Sequence, residues 1–230
     1  MLRTLKQYLI PLLLILVSIN AYTQDVLRGE VRIEREPILG GLVDAVYPLD
    51  DEAAYRRALE QAASFFAAQI YGWSFHYDIG ERARGIAEEF ELTPLGDIPW
   101  GDPQLFVTHA HFDGTSLSVW LDYRPNPAQR RRLEIWSSGT IRSAQAIGFQ
   151  PLVAWGEDVQ WRTLRENALK DAARSAVRTM LRGSERNRPK QVTGLISLQS
   201  FPSFWIDSGR WAVRARFRVE IREIIPFAVY

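Results

Sequence analysis

The residue types best suited to chemistry in this chain are its three histidines. His109 and His111 stand two apart in Thr108-His109-Ala110-His111-Phe112-Asp113, so on a strand they share a face and their rings can converge on one ion. His76, on the polar side of another strand, is the candidate third ligand. Such a set leaves one position open for water, as a hydrolytic zinc site requires. The competing reading takes Asp113-Gly114 as a simple turn, with the two histidines as its solvent-facing neighbours. It also needs no partner for the second nitrogen of each ring, which a ligating histidine does.

The same six residues resemble the His-x-His-x-Asp segment of the metallo-β-lactamase superfamily. That resemblance implies a metal held by His109 and His111, with Asp113 helping to bind a second. The family pattern continues with a further histidine, where this chain has Gly114, and no histidine follows His111. A zinc-dependent hydrolase centred on His109 and His111 is therefore one functional reading. No Gly-x-Ser-x-Gly elbow, P-loop, dinucleotide glycine fingerprint or cysteine nucleophile is present, so no catalytic residue and no other cofactor are assigned.

Two further constellations suit binding rather than catalysis. Arg214, Arg216, Arg218 and Arg222 form a stripe down one strand, with Arg210 beside the turn, and Arg130-Arg131-Arg132 either extend the patch or only flank a turn. The stripe is either a surface for an anionic glycan, lipid or acidic protein, or a solvated face that guards an edge against aggregation. Glu220 within the row lowers its field. The chain holds eight tryptophans. Trp73 and Trp211 fall on apolar strand faces, whereas Trp100, Trp155 and Trp161 lie in or beside loops, where an indole can stack on a sugar or anchor a partner.

The elements that position these residues follow from periodicity. Trp211, Val213, Ala215, Phe217, Val219 and Ile221 alternate with Ala212, Arg214, Arg216, Arg218, Glu220 and Arg222, a strand with one buried face. Its partner runs from Gln191 to Ile206 across Asp207-Ser208-Gly209, and a helix over Leu164 to Arg182 covers the apolar side. Earlier, a strand in Val26 to Glu36 extends into Val43 to Tyr47. A helix capped by Asp50 or Asp51 then runs to Ile70, and a strand follows over Trp73 to Ile79. Glu81 to Phe90 reads as a short helix, Leu105 to Phe112 and Thr115 to Tyr123 as a hairpin with a type I′ turn, and Leu133 to Trp136 as a strand. The span from Thr140 to Ile147 suits either state. Ala58-Leu59-Glu60-Gln61-Ala62-Ala63 and Ala168-Leu169-Lys170-Asp171-Ala172-Ala173 share one pattern, which marks either two equivalent helix-on-sheet layers or only the common use of the best helix formers.

The expected fold class is α+β: mostly antiparallel sheet with two longer helices packed on one face, and room for two similar helix-plus-hairpin halves. A basic start, an apolar run from Tyr8 to Ile19 and the small Ala21 describe a signal peptide over residues 1–21, with an uncleaved anchor as the other option. Residues 22–230 then form one α+β region or two packed subdomains, 22–124 and 125–230. The basic residues number 28 against 27 acidic. Loss of Arg3 and Lys6 leaves 26 against 27, a charge of −1, which argues against nucleic acid as a bulk partner. With no cysteine there is neither a lipid attachment thiol nor a disulfide framework, and the chain reads as periplasmic.

The final helix, Val192-Thr193-Gly194 and Gly209-Arg210-Trp211 are similar to small helix-plus-hairpin modules of bacterial envelope and flagellum-associated proteins. That similarity implies a non-enzymatic envelope role. The first functional expectation is thus an exported structural or protein-interaction module whose partner is an envelope protein or an anionic glycan or lipid surface. The alternatives are the zinc hydrolase and a glycan- or ligand-binding module using loop tryptophans.

Overall fold

The structure, a computed structural model, describes residues 26–36, 48–81, 85–151, 161–184 and 189–226. The signal segment, the Val43 to Tyr47 extension and Trp155 lie outside the described residues. In chain order the elements are β1 (Leu27–Glu34), α1 (Asp51–Ile70), β2 (Trp73–Asp78), β3 (Glu89–Pro94), β4 (Leu105–Phe112) and β5 (Ser116–Tyr123). There follow α2 (Pro127–Trp136), β6 (Arg142–Pro151), α3 (Trp161–Ser184), β7 (Pro189–Leu198), β8 (Ser203–Asp207) and β9 (Arg210–Pro226). The class is α+β with antiparallel sheets, as the alternation implied. A small sheet has the order β1-β5-β4, and a larger one β3-β2-β7-β9-β6, with β8 also paired to β9.

The long strand β9 organises the larger sheet. Its Trp211, Val213, Ala215, Phe217 and Val219 are buried while Arg214 and Arg216 are exposed, so the period of two sorts its faces. β6 runs along one side, from Arg142 opposite Val219 to Pro151 opposite Arg210. β7 and β8 share the other side, with Leu198 opposite Phe217 and Ser203 opposite Arg214. The expected hairpin arm from Gln191 to Ile206 is therefore real but broken between β7 and β8. Phe201 from that break packs against Phe65 and Phe66 of α1.

Both long helices use alanine to approach a sheet. Asp50 caps α1 by accepting from the Ala53 amide at 2.7 Å, and Asp51 and Glu52 fill the first turn. α1 then lies against β1 and β5 of the small sheet and β7 of the large one, burying Ala54, Ala58, Ala62, Phe66 and Ile70. α3 crosses β6 and β9 with Ala168, Ala172, Ala173 and Ala176 buried. At Gly148 of β6 an added Cβ would stand 2.2 Å from the Ala168 carbonyl oxygen, so only glycine lets α3 come this close. The repeated Ala-Leu-x-x-Ala-Ala pattern serves the same packing purpose in both helices.

Three local expectations are corrected. Glu81 to Phe90 is not a helix over its described residues: Glu81 bridges Ile86, Gly85 has φ 68°, and Phe90 already belongs to β3. A left-handed glycine stops an α-helix, and Phe90 finds its burial against Phe75 and Tyr77 of β2 instead. Leu133 to Trp136 is the end of α2 rather than a strand, because Asn126 and Gln129 form a reciprocal capping box and Pro127 sits at the first turn. Between β4 and β5 only Gly114 has a positive φ (92°), so the turn has its glycine at the first central position, as type II′ and not I′ demands.

Candidate functional site: an arginine face and a groove between helices

His109 and His111 point outward from β4, opposite Trp120 and Ser118 of β5, and the His109 ring lies 5.1 Å from that of Trp120. Asp113 is committed to the turn: its carboxylate accepts from the Ser116 amide and hydroxyl, both at 2.8 Å, and meets Arg32 at 2.9 Å. The Ser116 hydroxyl, its amide, the Thr115 amide and Arg32 hold its pKa below the ordinary carboxylate value. His76 belongs to the other sheet, on β2, where it contacts Asp78 at 3.2 Å and the Gln191 amide nitrogen at 2.9 Å. The structure thus brings two histidines onto one face and leaves the third on another sheet. Among the described residues no group of three or more His, Asp or Glu side chains is placed to hold a metal ion.

A partly buried cluster on the other side of β2 has the residue types of an acid–base site. The Tyr77 hydroxyl donates to Glu88 and accepts from Arg178 Nε at 2.7 Å. Burial raises the Tyr77 pKa, with Glu88 adding to the shift. Tyr77 is 1% exposed, and through it and Glu88 the cluster fastens α3 to β2.

The arginine row lies where the sequence placed it. Arg214, Arg216 and Arg218 project from the outer face of β9, about 7 Å from one to the next at strand spacing. Arg214 sits 5.5 Å above the ring of Trp205, and Arg216 reaches Gln145 of β6 at 3.4 Å. Arg218, between Ser143 and Ser197 in register, is half-buried, and that burial lowers its pKa. Beside the turn, Arg210 stacks 3.9 Å from the Phe149 ring and pairs with Asp207 at 3.2 Å. Arg222 falls at a bulge, where Thr193 faces Glu223 and Gly194 faces Ile221, and lies 3.7 Å from Glu220. Arg130, Arg131 and Arg132 belong to α2 and do not extend the strand stripe.

The three arginines of the row stand side by side on one strand face without a counter-charge, whereas several arginines elsewhere are paired. Arg32, Arg35 and Arg56 lie within 3 Å of a carboxylate, at 2.9, 2.8 and 2.6 Å. Among the described residues no ion pair involves Arg214, Arg216 or Arg218. A half-buried guanidinium without an anion is unfavourable until one arrives.

Trp100 is 62% exposed in the loop after β3. It stands at the mouth of a groove of about 610 Å³ between α1 and α3, floored by Trp73 and Leu92. Trp161 is the first residue of α3, with its side chain outside the described residues. Sequence reasoning missed two outward indoles, Trp120 and Trp205. Both sit in alternating strands, and the same period of two that placed the arginines would have turned Trp120 outward beside Ser118 and Asp122.

A family model describing a domain of unknown function matches residues 16–227. The chain belongs to this family. The match spans β1 through β9, so both sheets and all three helices fall inside it. A protein of Treponema pallidum (strain Nichols) described as "Uncharacterized protein" is 24% identical over 173 residues, covering 74% of this chain and 69% of that one. No solved structure matches.

Proposed function

We propose that this family member is an exported, non-enzymatic interaction protein of the bacterial cell envelope, and that the outer face of β9 docks an anionic partner. The observation that carries the reading is the row Arg214, Arg216 and Arg218, three cations side by side with no ion pair among the described residues. Trp205 and Phe149 support the flanking guanidiniums from below, which fixes their planes at small entropic cost. Ile147, 39% exposed and opposite Arg214 in register, adds an apolar contact at the centre of the face. The apolar run before Ala21 supplies the export signal, and among the described residues no helix is long and apolar enough to cross a membrane.

The test uses mature protein beginning at Tyr22. It should bind vesicles containing phosphatidylglycerol, or soluble polyglutamate, in preference to phosphatidylcholine vesicles, and more weakly as salt rises. Replacing Arg214, Arg216 and Arg218 together by glutamate should lower affinity at least about tenfold, because each contact is charge-assisted. Replacing Arg28, on the small sheet, should not. Unchanged binding by a folded triple variant rejects the arginine face.

A further inference from the structure

The groove between the long helices lies on the other side of the large sheet from the arginine row, since Trp73 shares the inward alternation of Phe75 and Tyr77. α1 and α3 are joined where Arg165 Nη1 donates to Gln61 Oε1 at 2.7 Å. Ala63, Ala67 and Ala68 keep the α1 wall low, so the apolar floor of Trp73 and Leu92 stays reachable from the mouth at Trp100. A volume of about 610 Å³ is within the range of roughly 300–1,000 Å³ that holds a small ligand and not a folded partner.

The rim narrows the chemistry. Arg162 and Glu166 neutralise each other at 2.7 Å. Glu60, Asp97 and Lys170 also line the groove, and none of their side chains has an ion pair or hydrogen bond among the described residues. The same holds for the neutral Ser64 and Asn167. An aliphatic chain would fill the floor but cover Glu60, Ser64 and Asn167 without giving them partners, which disfavours it. A sugar would satisfy the rim and waste the floor. One ligand class supplies apolar groups, amide donors and acceptors, and charges of both signs in a linear order.

We propose that this groove binds a short peptide with apolar side chains and a free amino terminus. Its ammonium group is held by Glu60, its backbone by Ser64 and Asn167, its side chains by Trp73 and Leu92, and a terminal carboxylate by Lys170. The proposal is independent of the anionic partner, because the two sites use different faces and different residues.

Calorimetric titration with trileucine, N-acetyl-trileucine and decanoate tests it. Trileucine should bind saturably and change tryptophan emission, and Trp100→Phe should diminish that change. N-acetylation should weaken binding about tenfold or more, by loss of a charge-assisted hydrogen bond. Glu60→Gln should weaken trileucine to a similar degree and leave the acetylated peptide unaffected. The triple arginine variant should bind trileucine as the native protein does, so each site can fail without the other. The proposal is overturned if trileucine shows no saturable binding at millimolar concentration, if the acetylated peptide binds equally well, or if decanoate binds more tightly than trileucine.

Discussion

At the scale of single residues, position in a turn decides what a carboxylate can do. Asp113 has the sequence context of a metal ligand, yet its oxygens are occupied by Ser116 and Arg32. Because its folded pKa is depressed, the stabilisation it contributes is present above the unfolded value of about 3.9 and is lost as pH falls through the folded value. The amide resonances of Thr115 and Ser116 should therefore titrate with a midpoint below about 3.9, and Asp113→Asn should abolish that titration. A midpoint at or above the unfolded value would show that the turn bonds do not hold the ionised form. The three histidines were visible in the sequence, as was the shared face of His109 and His111. Their separation from His76 was not, because strand pairing across a hundred residues leaves no local signal.

Among the elements, those with strong periodicity were legible and those fixed by capping or by long-range pairing were not. β9 and α3 could be read because burial of one face imposes a period on many residues at once. α2 was misread because Leu133, Glu134, Ile135 and Trp136 look strand-like alone, while the decisive signal, Asn126 with Gln129, lies at the other end of the helix. β3 is not legible because its six residues carry one buried side chain, Phe90, too few to show alternation. The face assignment of β9 can be checked by stability. Phe217, fully buried, should cost about 3–5 kcal/mol when changed to alanine, whereas Arg216→Ala should stay within about 0.5 kcal/mol. Equal shifts in urea midpoint would reverse the two faces. Both arginine face and groove depend on this sorting, one on each side of the sheet.

For the whole molecule, Arg165 joins what the chain keeps apart. Buried at 4% exposure, it donates to the Arg32 carbonyl at 3.1 Å and to Gln61, pairs with Glu34, and lies 4.6 Å from the Trp211 ring. It thereby ties β1 of the small sheet, α1 and β9 of the large sheet to α3. Arg165→Met should lower stability by about 3 kcal/mol, the lower end of the range for a broken buried pair because Glu34 keeps some water. Adding Glu34→Gln should recover part of the loss, since the stranded carboxylate is then neutral; no recovery in urea titrations would mean that the ion pair is not the source. The same contact sets a schedule. Arg165 follows Glu34 by 131 residues, and β2 waits for β7, whose Gln191 meets His76 from 115 residues away. At roughly 10 residues per second of synthesis, the first third of the chain spends on the order of ten seconds without the side chains that will lock it. Contacts this distant also slow the final collapse. A nascent chain so built stays threadable until its last strands exist, which is the state that the export proposed above would require.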